Sequence, residues 1–269
     1  MSTPQRVLIT GAGSGLGRAL ALRYAADGHR IACADIDGAR AEETAAGLRQ
    51  SGIEAIAIGV DVADFDSVIA LRAAIQKRWQ GLDILLNNAG VSSAGSVIDT
   101  SMDDWRWMID INLLGVVHGC RTFLPDLIAQ GHGHVINIAS YAALAGAPGM
   151  AAYSVAKAGV VTLSESLRAE LHGTGVGVSV ACPSFFPTRL LENFRAPADS
   201  YRTMAQKLMG ASKTDADAVA DAIVRAVARG RFMILPTPGE PARWRLKRWL
   251  PETYFRKLMQ RVHARRSQR

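Results

Sequence analysis

The segment RVLITGAGSGLG, residues 6–17, joins a short apolar run to a glycine-rich loop and to the start of a helical pattern. The run RVLIT has the length and composition of a buried strand, and a helix is predicted through GLGRALALRYAADG. A glycine-rich loop between a strand and a helix brings backbone N–H groups and the positive helix N-terminus to one point. The segment therefore predicts the start of a parallel α/β sheet with an anion-binding loop.

The same alternation of short apolar runs and longer helical patterns continues along the chain. Further strands are predicted in RIACAD, EAIAIGV, LDILLN, HVINIAS, GVGVSVACP and RFMILP. Helices are predicted between them, including about residues 64–79, 102–129 and 151–171. Strands separated by helices indicate a doubly wound, Rossmann-like parallel sheet with helices on both faces. No tandem repeat or low-complexity linker precedes residue 236, so we expect one catalytic domain over residues 1–239.

The positive charge of the chain is concentrated in a C-terminal tail, residues 240–269. That tail holds ten Lys or Arg and two Glu, which accounts for the whole net charge of +7 and leaves residues 1–239 nearly neutral. The high pI of the chain therefore says nothing about nucleic acid binding by the body, and we expect no nucleic acid partner. The three cysteines are scattered, and MSTPQRVLIT lacks the pattern of a secretory signal, so we expect a cytoplasmic protein.

The loop TGAGSGLG, residues 10–17, has the glycine spacing that a bound pyrophosphate requires. Gly11 permits a tight turn, Gly15 lets backbone amides approach the phosphates, and Gly17 lets the helix pack close to the strand. With a strand before it, a helix after it and RIACAD at the expected distance, the loop predicts dinucleotide binding. The loop residues that we assign to this contact are Gly11, Ser14, Gly15, Leu16 and Gly17.

Asp35 ends the second predicted strand, and its charge bears on the choice of dinucleotide. A carboxylate at this point can accept hydrogen bonds from the adenosine ribose hydroxyls and would repel a 2′-phosphate. We therefore expect NAD rather than NADP as the cofactor. Asp37 is an alternative for the same role, and either carboxylate could instead be a solvated residue of a turn.

Tyr153 and Lys157 are four residues apart on a predicted helix, so the phenol and the ammonium share one face. Residues 127–156 contain no Asp, Glu, Lys or Arg, which leaves Lys157 without competing charges. A cation near a phenol stabilises the phenolate, and lowering its pKa by ~2–3 units corresponds to roughly 3–4 kcal/mol. The pair therefore predicts a tyrosine that acts as general acid or base.

With these motifs together, the sequence resembles the short-chain dehydrogenase/reductase family, in its compact single-domain branch. The motifs follow one another in the order of that family, from Thr10 to Thr188: TGAGSGLG, Asp35, DV, NNAG, Asn112, Ser140, YSVAK and PSFFPT. The resemblance implies that Asp61 and Val62 flank the adenine. It also implies that a second group of residues lines the cofactor cleft, namely Asn88, Ala89 and Gly90.

The resemblance further implies a catalytic tetrad of Asn112, Ser140, Tyr153 and Lys157. In such a tetrad Ser140 hydrogen-bonds the substrate oxygen, Lys157 also holds the nicotinamide ribose together with Tyr153, and Asn112 anchors a water. Pro183 would contact the cofactor, and Thr188 would contact the nicotinamide carboxamide. The family usually has Pro-Gly where this chain has Pro183 and Ser184, so we expect the local turn to differ.

An apolar segment after Pro183 predicts a substrate lid over about residues 184–214. Phe185, Phe186 and Leu190 would form one wall of a lipophilic cleft, with Tyr141 opposite, although ordinary packing of a lid helix would use the same residues. The two histidines of HGH, residues 132–134, have no thiol or carboxylate partners nearby in sequence, and we assign no metal.

The tail is divided by Pro251 into two predicted helices, of which the second has an apolar face opposite a cationic one. Such a segment can lie in an anionic membrane surface, pack on its own body, contact a second subunit or stay mobile.

We therefore expect an oxidoreductase that transfers a hydride between NAD(H) and a lipophilic secondary alcohol or ketone, as a homodimer or homotetramer. The alternatives are an NADPH-dependent 3-oxoacyl reductase and a non-catalytic protein that senses its cofactor.

Overall fold

The fold is a seven-stranded parallel sheet with helices on both faces, described by a computed structural model over residues 4–266. The strands are β1 (Arg6–Thr10), β2 (Arg30–Asp35), β3 (Ala55–Gly59), β4 (Ile84–Asn87), β5 (Gly133–Ile138), β6 (Val176–Ala181) and β7 (Met233–Ile234). Their order in the sheet is β3-β2-β1-β4-β5-β6-β7. This order confirms the predicted doubly wound sheet. The chain adds strands on one side of β1 up to β3 and then on the other side from β4 to β7, and such folds form a crevice between β1 and β4.

Eleven α-helices lie within the described residues. They are α1 (Gly15–Ala26), α2 (Gly38–Gln50), α3 (Phe65–Trp79), α4 (Met102–Ile109), α5 (Gly115–Gln130), α6 (Ala142–Ala145), α7 (Ala151–Glu170), α8 (Asp199–Gly210), α9 (Ala216–Ala228), α10 (Glu240–Trp249) and α11 (Pro251–Arg266). Apolar side chains of α1, α2 and α9 pack on one face of the sheet. Those of α3, α5 and α7 pack on the other face, so both faces are buried.

The helix predicted over residues 102–129 is interrupted. A five-residue π-helical turn, Asp110–Leu114, separates α4 from α5, and the buried Asn112 lies within it. The apolar periodicity continues through this turn, which is why the sequence pattern did not reveal it. Wide turns of this kind are frequent at functional sites, because they redirect a side chain without ending the helix.

The tail forms the two predicted helices, with Pro251 at the first position of α11, where its missing N–H costs nothing. The tail packs on the short helix α6. Lys247 Nζ donates a hydrogen bond to Leu144 O at 2.6 Å, and Tyr254 OH donates one to Ala145 O at 2.9 Å. Within residues 4–266, none of the helices is long and apolar enough to cross a membrane.

Candidate active site

The glycine loop between β1 and α1 has the backbone conformation that its sequence predicts. Gly11 and Gly15 have φ values of +68° and +50°, which side chains rarely permit. A Cβ on Gly17 would lie 2.0 Å from the carbonyl oxygen of Gly11, so only glycine allows this contact. A Cβ on Gly13 would meet Asp35, and one on Gly15 would touch Thr188. The loop therefore depends on glycine at Gly11, Gly15 and Gly17, and such a loop before a helix suits a pyrophosphate.

The end of β4 is tied to the glycine loop through Thr10. The backbone N–H groups of Asn88 and Ala89 both donate to Thr10 Oγ1 at 3.0 Å, and Asn88 Nδ2 donates to Thr10 O at 2.8 Å. Gly90 comes next in the chain. A Cβ on Gly90 would lie 2.6 Å from Asn112 Oδ1 and 3.4 Å from Lys157 Nζ. The NNAG motif thus joins the two strands that border the crevice.

Asp35 lies directly over the glycine loop. Its Oδ2 accepts a hydrogen bond from the Gly13 N–H at 2.9 Å, and its Oδ1 accepts one from the Asp37 N–H at 3.0 Å. Asp37 instead caps α2, since its side chain accepts from the Arg40 N–H. The two carboxylates that the sequence offers therefore have different positions, and only Asp35 faces the loop.

Arg40 is a residue at this edge that the sequence interpretation missed. A Cβ on Gly13 would lie 2.7 Å from Arg40 Cβ, so the arginine borders the same loop. Its guanidinium pairs with Glu192 Oε2 at 2.7 Å and with Asp37 Oδ2 at 3.2 Å. The cation beside Asp35 is thus engaged by two carboxylates, one of them in the predicted lid.

Asp61 and Val62, predicted to flank the adenine, lie at the end of β3. Val62 is buried against Gly115 and its carbonyl oxygen lies 2.9 Å from His118 Nδ1. Asp61 is exposed, and its Oδ1 accepts from the Ala63 N–H at 2.9 Å. Val62 therefore offers an apolar surface, while Asp61 closes the turn at the mouth of the crevice.

Tyr153 and Lys157 lie on one face of α7 and are both buried, with 7% and 4% of their surfaces exposed. Lys157 Nζ donates a hydrogen bond to Ile138 O, at the end of β5, at 2.9 Å. Asn112 lies opposite, across Gly90, where its side chain exchanges two hydrogen bonds with the backbone of Val91. The structure thus brings Lys157 and Asn112 together at Gly90, with Tyr153 one helical turn before Lys157 on α7.

Burial has the largest effect on the electrostatics of this pair. Burial raises the pKa of Tyr153, a hydrogen bond with the Ser140 side chain lowers it, and the nearby Cys182 raises it. Burial also lowers the pKa of Lys157 to about 8, against a smaller opposing effect of Cys182. Burial therefore has the largest effect on both groups, and the acidification of Tyr153 by Lys157 stays a prediction.

Ser140 follows β5, and its hydroxyl accepts from the Ala142 N–H at 3.1 Å and approaches Pro183 O at 3.5 Å. Ser184 donates its N–H to Thr237 Oγ1 at 3.1 Å. Among the described residues Gln80 is the only non-glycine with positive φ, so the turn at Ser184 needs no glycine. Thr188 caps the following short helix, its Oγ1 accepting from the Leu190 N–H, and it adjoins Gly15.

The four predicted substrate residues are not all on one cleft. Phe186 is buried in the core on the face of α1 and α9, where ordinary packing accounts for it. Tyr141 is also buried, and it faces Glu240 and Tyr254 of the tail. Phe185 and Leu190 remain half-buried near Ser184 and Thr188.

The second histidine of the HGH segment contacts a serine on the neighbouring strand β6. His134 Nε2 lies 2.8 Å from Ser179 Oγ, and burial lowers the pKa of this histidine to about 4. In the described part of the chain, no group of three or more His, Cys, Asp or Glu side chains could hold a metal ion.

The chain is similar to known proteins in both sequence and structure. A family model described as short chain dehydrogenase matches residues 5–199. A probable oxidoreductase, EphD of Mycobacterium tuberculosis, is 36% identical over 255 residues, which cover 91% of this chain and 43% of that protein. This chain thus spans less than half the length of that relative. A 2-(R)-hydroxypropyl-CoM dehydrogenase of Xanthobacter autotrophicus is 34% identical over 221 residues, covering 79% of this chain and 88% of that one.

Two solved structures have the same fold. A short chain dehydrogenase/reductase from Burkholderia phymatum, in complex with NAD, superposes with a TM-score of 0.88 at 34% identity, covering 93% of this chain and 95% of that one. A short-chain dehydrogenase from Sphingobium yanoikuyae, in complex with NADPH, has a TM-score of 0.79 at 26% identity, covering 96% and 95%. Both nicotinamide cofactors therefore occur among proteins with this fold.

Proposed function

The chain belongs to the short-chain dehydrogenase/reductase family of oxidoreductases, and from that premise we propose that it transfers a hydride between NAD(H) and a lipophilic secondary alcohol or ketone. The observation that carries the proposal is the burial of Tyr153 and Lys157 on one face of α7, with Lys157 beside Gly90. A phenol and an amine so buried are costly unless they have a function there.

Tyr153 is the proton donor and acceptor in this proposal. The nicotinamide ring supplies or accepts the hydride when the cofactor is bound. Because burial raises the pKa of Tyr153, its resting form is the neutral phenol, which suits proton donation to a ketone oxygen. Ser140 orients that oxygen with its hydroxyl, and its hydrogen bond to Tyr153 stabilises the phenolate that proton transfer leaves.

Lys157 and Asn112 support the phenol in this scheme. Lys157 binds the hydroxyls of the nicotinamide ribose and places a positive charge near the developing phenolate. Asn112 holds the wide turn against Val91 and anchors the water through which Lys157 exchanges protons. The contacts of Lys157 with Ile138 O and of Asn112 with Val91 support these positions.

NAD is the proposed cofactor because of the charges at the edge of the loop. The Asp35 carboxylate points at the Gly13 amide, where it would repel a 2′-phosphate. Arg40, the nearby cation that could attract such a phosphate, is already paired with Glu192 and Asp37. The adjoining residues of the cofactor cleft would be those of the glycine loop, NNAG, Val62, Pro183 and Thr188.

A lipophilic substrate is proposed from the half-buried Phe185 and Leu190 and from the lid that carries them. The lid is braced by Arg202, whose guanidinium donates to Leu191 O at 2.7 Å and to Phe194 O at 2.8 Å. Ser92 Oγ also donates to Leu190 O at 3.0 Å, which ties the lid to the segment after β4. An apolar surface held in this way suits an apolar alcohol or ketone.

A panel of hydrophobic secondary alcohols and ketones, assayed with NAD(H) and NADP(H) by nicotinamide absorbance, tests the proposal. We expect turnover of at least one apolar substrate, faster with NAD(H). Preference for NADPH together with 3-oxoacyl thioesters would instead identify a 3-oxoacyl reductase. Cofactor binding without turnover of any substrate in the panel would favour a cofactor-sensing protein.

We further propose a cytoplasmic homodimer or homotetramer built on the long helices α5 and α7. Val155 on α7 is 52% exposed, and Leu114, next to α5, is 39% exposed, so these helices present apolar side chains outward. Light scattering coupled to gel filtration would measure the assembly. A monomer at micromolar concentration would contradict this part of the proposal.

Contact of the tail with a membrane surface is a separate proposal. Trp249, Leu250 and Phe255 are exposed at the junction of α10 and α11, among the basic residues of the tail. Exposed aromatic and apolar side chains within a cationic segment suit an anionic bilayer surface. Flotation with vesicles of anionic lipid would carry the protein upward, whereas vesicles of neutral lipid would not.

A further inference from the structure

The short helix α6 binds both oxygen atoms of Ser140. The Ala142 N–H donates a hydrogen bond to Ser140 Oγ at 3.1 Å, and the Ala143 N–H donates one to Ser140 O at 3.1 Å. The next two N–H groups of the helix donate to Tyr141 O at 3.0 Å and 2.9 Å. Ser140 and α6 therefore form one hydrogen-bonded unit, so a shift of the helix would displace the Ser140 hydroxyl.

α6 also lies against the apolar cluster that contains Tyr153. Ala142, the first residue of the helix, packs on this cluster. The buried members of the cluster are Met108, Ala152, Tyr153 and Ala156. The same turn of helix thus binds Ser140 and borders the surroundings of Tyr153, the two residues that act on the substrate oxygen in the proposed function.

α6 is too short to keep its conformation without help. It contains four residues, Ala142–Ala145, and isolated helices shorter than about 12–15 residues are marginal in water. It ends at Gly146, which has a φ of +65°. The last carbonyl oxygens of a helix have no partners within the helix. Contacts from outside are therefore needed to fix α6.

The tail supplies these contacts from two different helices. Lys247 of α10 donates a hydrogen bond from Nζ to Leu144 O at 2.6 Å. Tyr254 of α11 donates one from its hydroxyl to Ala145 O at 2.9 Å. Both side chains belong to half-buried residues, and a hydrogen bond from a charged donor is stronger than one between neutral groups. The last two carbonyl oxygens of α6 are thus both bound by the tail.

We propose that Lys247 and Tyr254 are positioning residues, through which the tail fixes α6 and thereby holds Ser140 in place for hydride transfer. This inference rests on the proposed function. The two residues lie 103 and 109 positions beyond the carbonyl groups that they bind, so the end of the chain supports the site near its middle. A displacement of about 1 Å in a group that orients the substrate can cost about 100-fold in rate.

This role of the tail is separate from contact with a membrane. The side chains that the tail leaves exposed, among them Trp249 and Phe255, are not those that bind α6. Tyr254→Phe leaves the charge of the tail and these exposed side chains unchanged. The two proposed roles therefore use different side chains and can be tested apart.

The test uses the full chain and the variants Lys247→Met, Lys247→Arg, Tyr254→Phe and Lys247→Met/Tyr254→Phe. Lys257→Met is the control for the lost charge, because Lys257 is an exposed residue of α11. Tyr24→Phe is the control for the lost hydroxyl, because the buried Tyr24 hydroxyl has no hydrogen-bond partner among the residues that the structure describes.

Two kinds of measurement are made on each protein. Steady-state kinetics with the best substrate of the alcohol and ketone panel give KM and kcat, and kcat is divided by the number of NADH-binding sites found by fluorescence titration. This division removes the effect of any unfolded protein. Hydrogen exchange followed by mass spectrometry measures the protection of the α6 amides, and this readout does not depend on turnover.

We expect Tyr254→Phe to lower kcat per site about threefold to tenfold, because one hydrogen bond to α6 is lost. Lys247→Met should lower it about tenfold or more, because the lost donor is charged. Lys247→Arg should keep more of kcat than Lys247→Met, since a guanidinium also donates hydrogen bonds. NADH affinity should stay within about twofold, the α6 amides should exchange about tenfold faster in the double variant, and both controls should match the wild type.

An unchanged kcat per site in folded Lys247→Met and Tyr254→Phe would overturn the inference. A rise in KM alone would also overturn it, because it would mean that the tail contacts the substrate itself. If Lys247→Met does not fold, Tyr254→Phe decides the question, because it keeps the aromatic ring in place. A wild type without turnover would overturn the proposed function and this inference with it, whereas a wild type that turns over, matched by equally fast variants, would overturn the inference alone.

Discussion

Lys157 Nζ donates a hydrogen bond to the carbonyl oxygen of Ile138 at 2.9 Å, which fixes the amine to the end of β5. The amine is thus positioned by the main chain and not by Tyr153. Its burial lowers its pKa to about 8, so the site keeps a charge that is unfavourable for folding. The charge of Lys157 is thus proposed to serve turnover while it lowers the stability of the fold.

Lys157→Met should abolish turnover and stabilise the protein at pH 7, by on the order of 1–3 kcal/mol, because the buried ammonium is removed. In the wild type the pKa of Lys157 falls from 10.5 unfolded to about 8 folded. The unfolded chain therefore binds more protons in this window, and wild-type stability rises as pH increases from about 8 to 10.5. Denaturant unfolding of both proteins at pH 7 and pH 10 measures the difference.

The stabilisation by Lys157→Met should shrink at the higher pH, since the wild-type amine is neutral there. An equal difference at both pH values would show that the charge of Lys157 does not oppose folding.

Gly90→Ala should reduce kcat about tenfold or more, because the added Cβ would lie 2.6 Å from Asn112 Oδ1 and displace it. Gly90 does not have positive φ, so the backbone itself accepts alanine. Gly47→Ala is the control, since a Cβ there meets nothing within 4 Å and should stabilise α2 slightly. Equal kcat for both variants in steady-state assays would refute the proposed role of the Asn112 contact.

Asp35→Arg should shift the ratio of kcat/KM for NADH and NADPH towards NADPH, because a carboxylate beside the Gly13 amide is replaced by a cation that attracts a 2′-phosphate. Asp37→Asn is the comparison, because Asp37 caps α2 and does not face the loop. If Asp35→Arg left the cofactor ratio unchanged, another residue would set the cofactor preference.

Glu192→Gln should also raise the relative use of NADPH, by a smaller amount. The substitution removes the 2.7 Å ion pair with Glu192 and leaves Arg40 paired with Asp37 alone, so its guanidinium can more easily meet a 2′-phosphate. Both side chains are partly exposed, so the effect should be a few-fold and should weaken with added salt. Kinetics at low and high ionic strength measure it, and an increase in NADH preference would contradict the assignment.

The strands, the glycine loop and most helices were predictable because each has a local signal. RVLIT, RIACAD and HVINIAS show the short apolar runs of buried parallel strands, and the structure places β1, β2 and β5 there. Pro251 likewise marks the boundary between α10 and α11. The π-helical turn at Asn112 had no such signal, because it depends on hydrogen bonds with Val91, which lies far away in sequence.

The parts of the site that were missed depend on long-range contacts. Arg40 meets Glu192 across 152 positions of the sequence. Phe186 was assigned to a cleft from its apolar character, which a core position satisfies equally well. Cys182 lies near Lys157 and Tyr153 because of where β6 ends in the sheet. Composition does not reveal that position.

Tyr153→Phe tests the central claim most directly, because it removes one hydroxyl from a buried ring. The measurement is turnover of the best substrate of the alcohol and ketone panel, with NADH binding measured in parallel by fluorescence. We expect kcat to fall by about 10²–10⁴-fold while NADH still binds, since the proton donor is lost and the cleft is kept. Turnover close to that of the wild type would show that Tyr153 is not the proton donor.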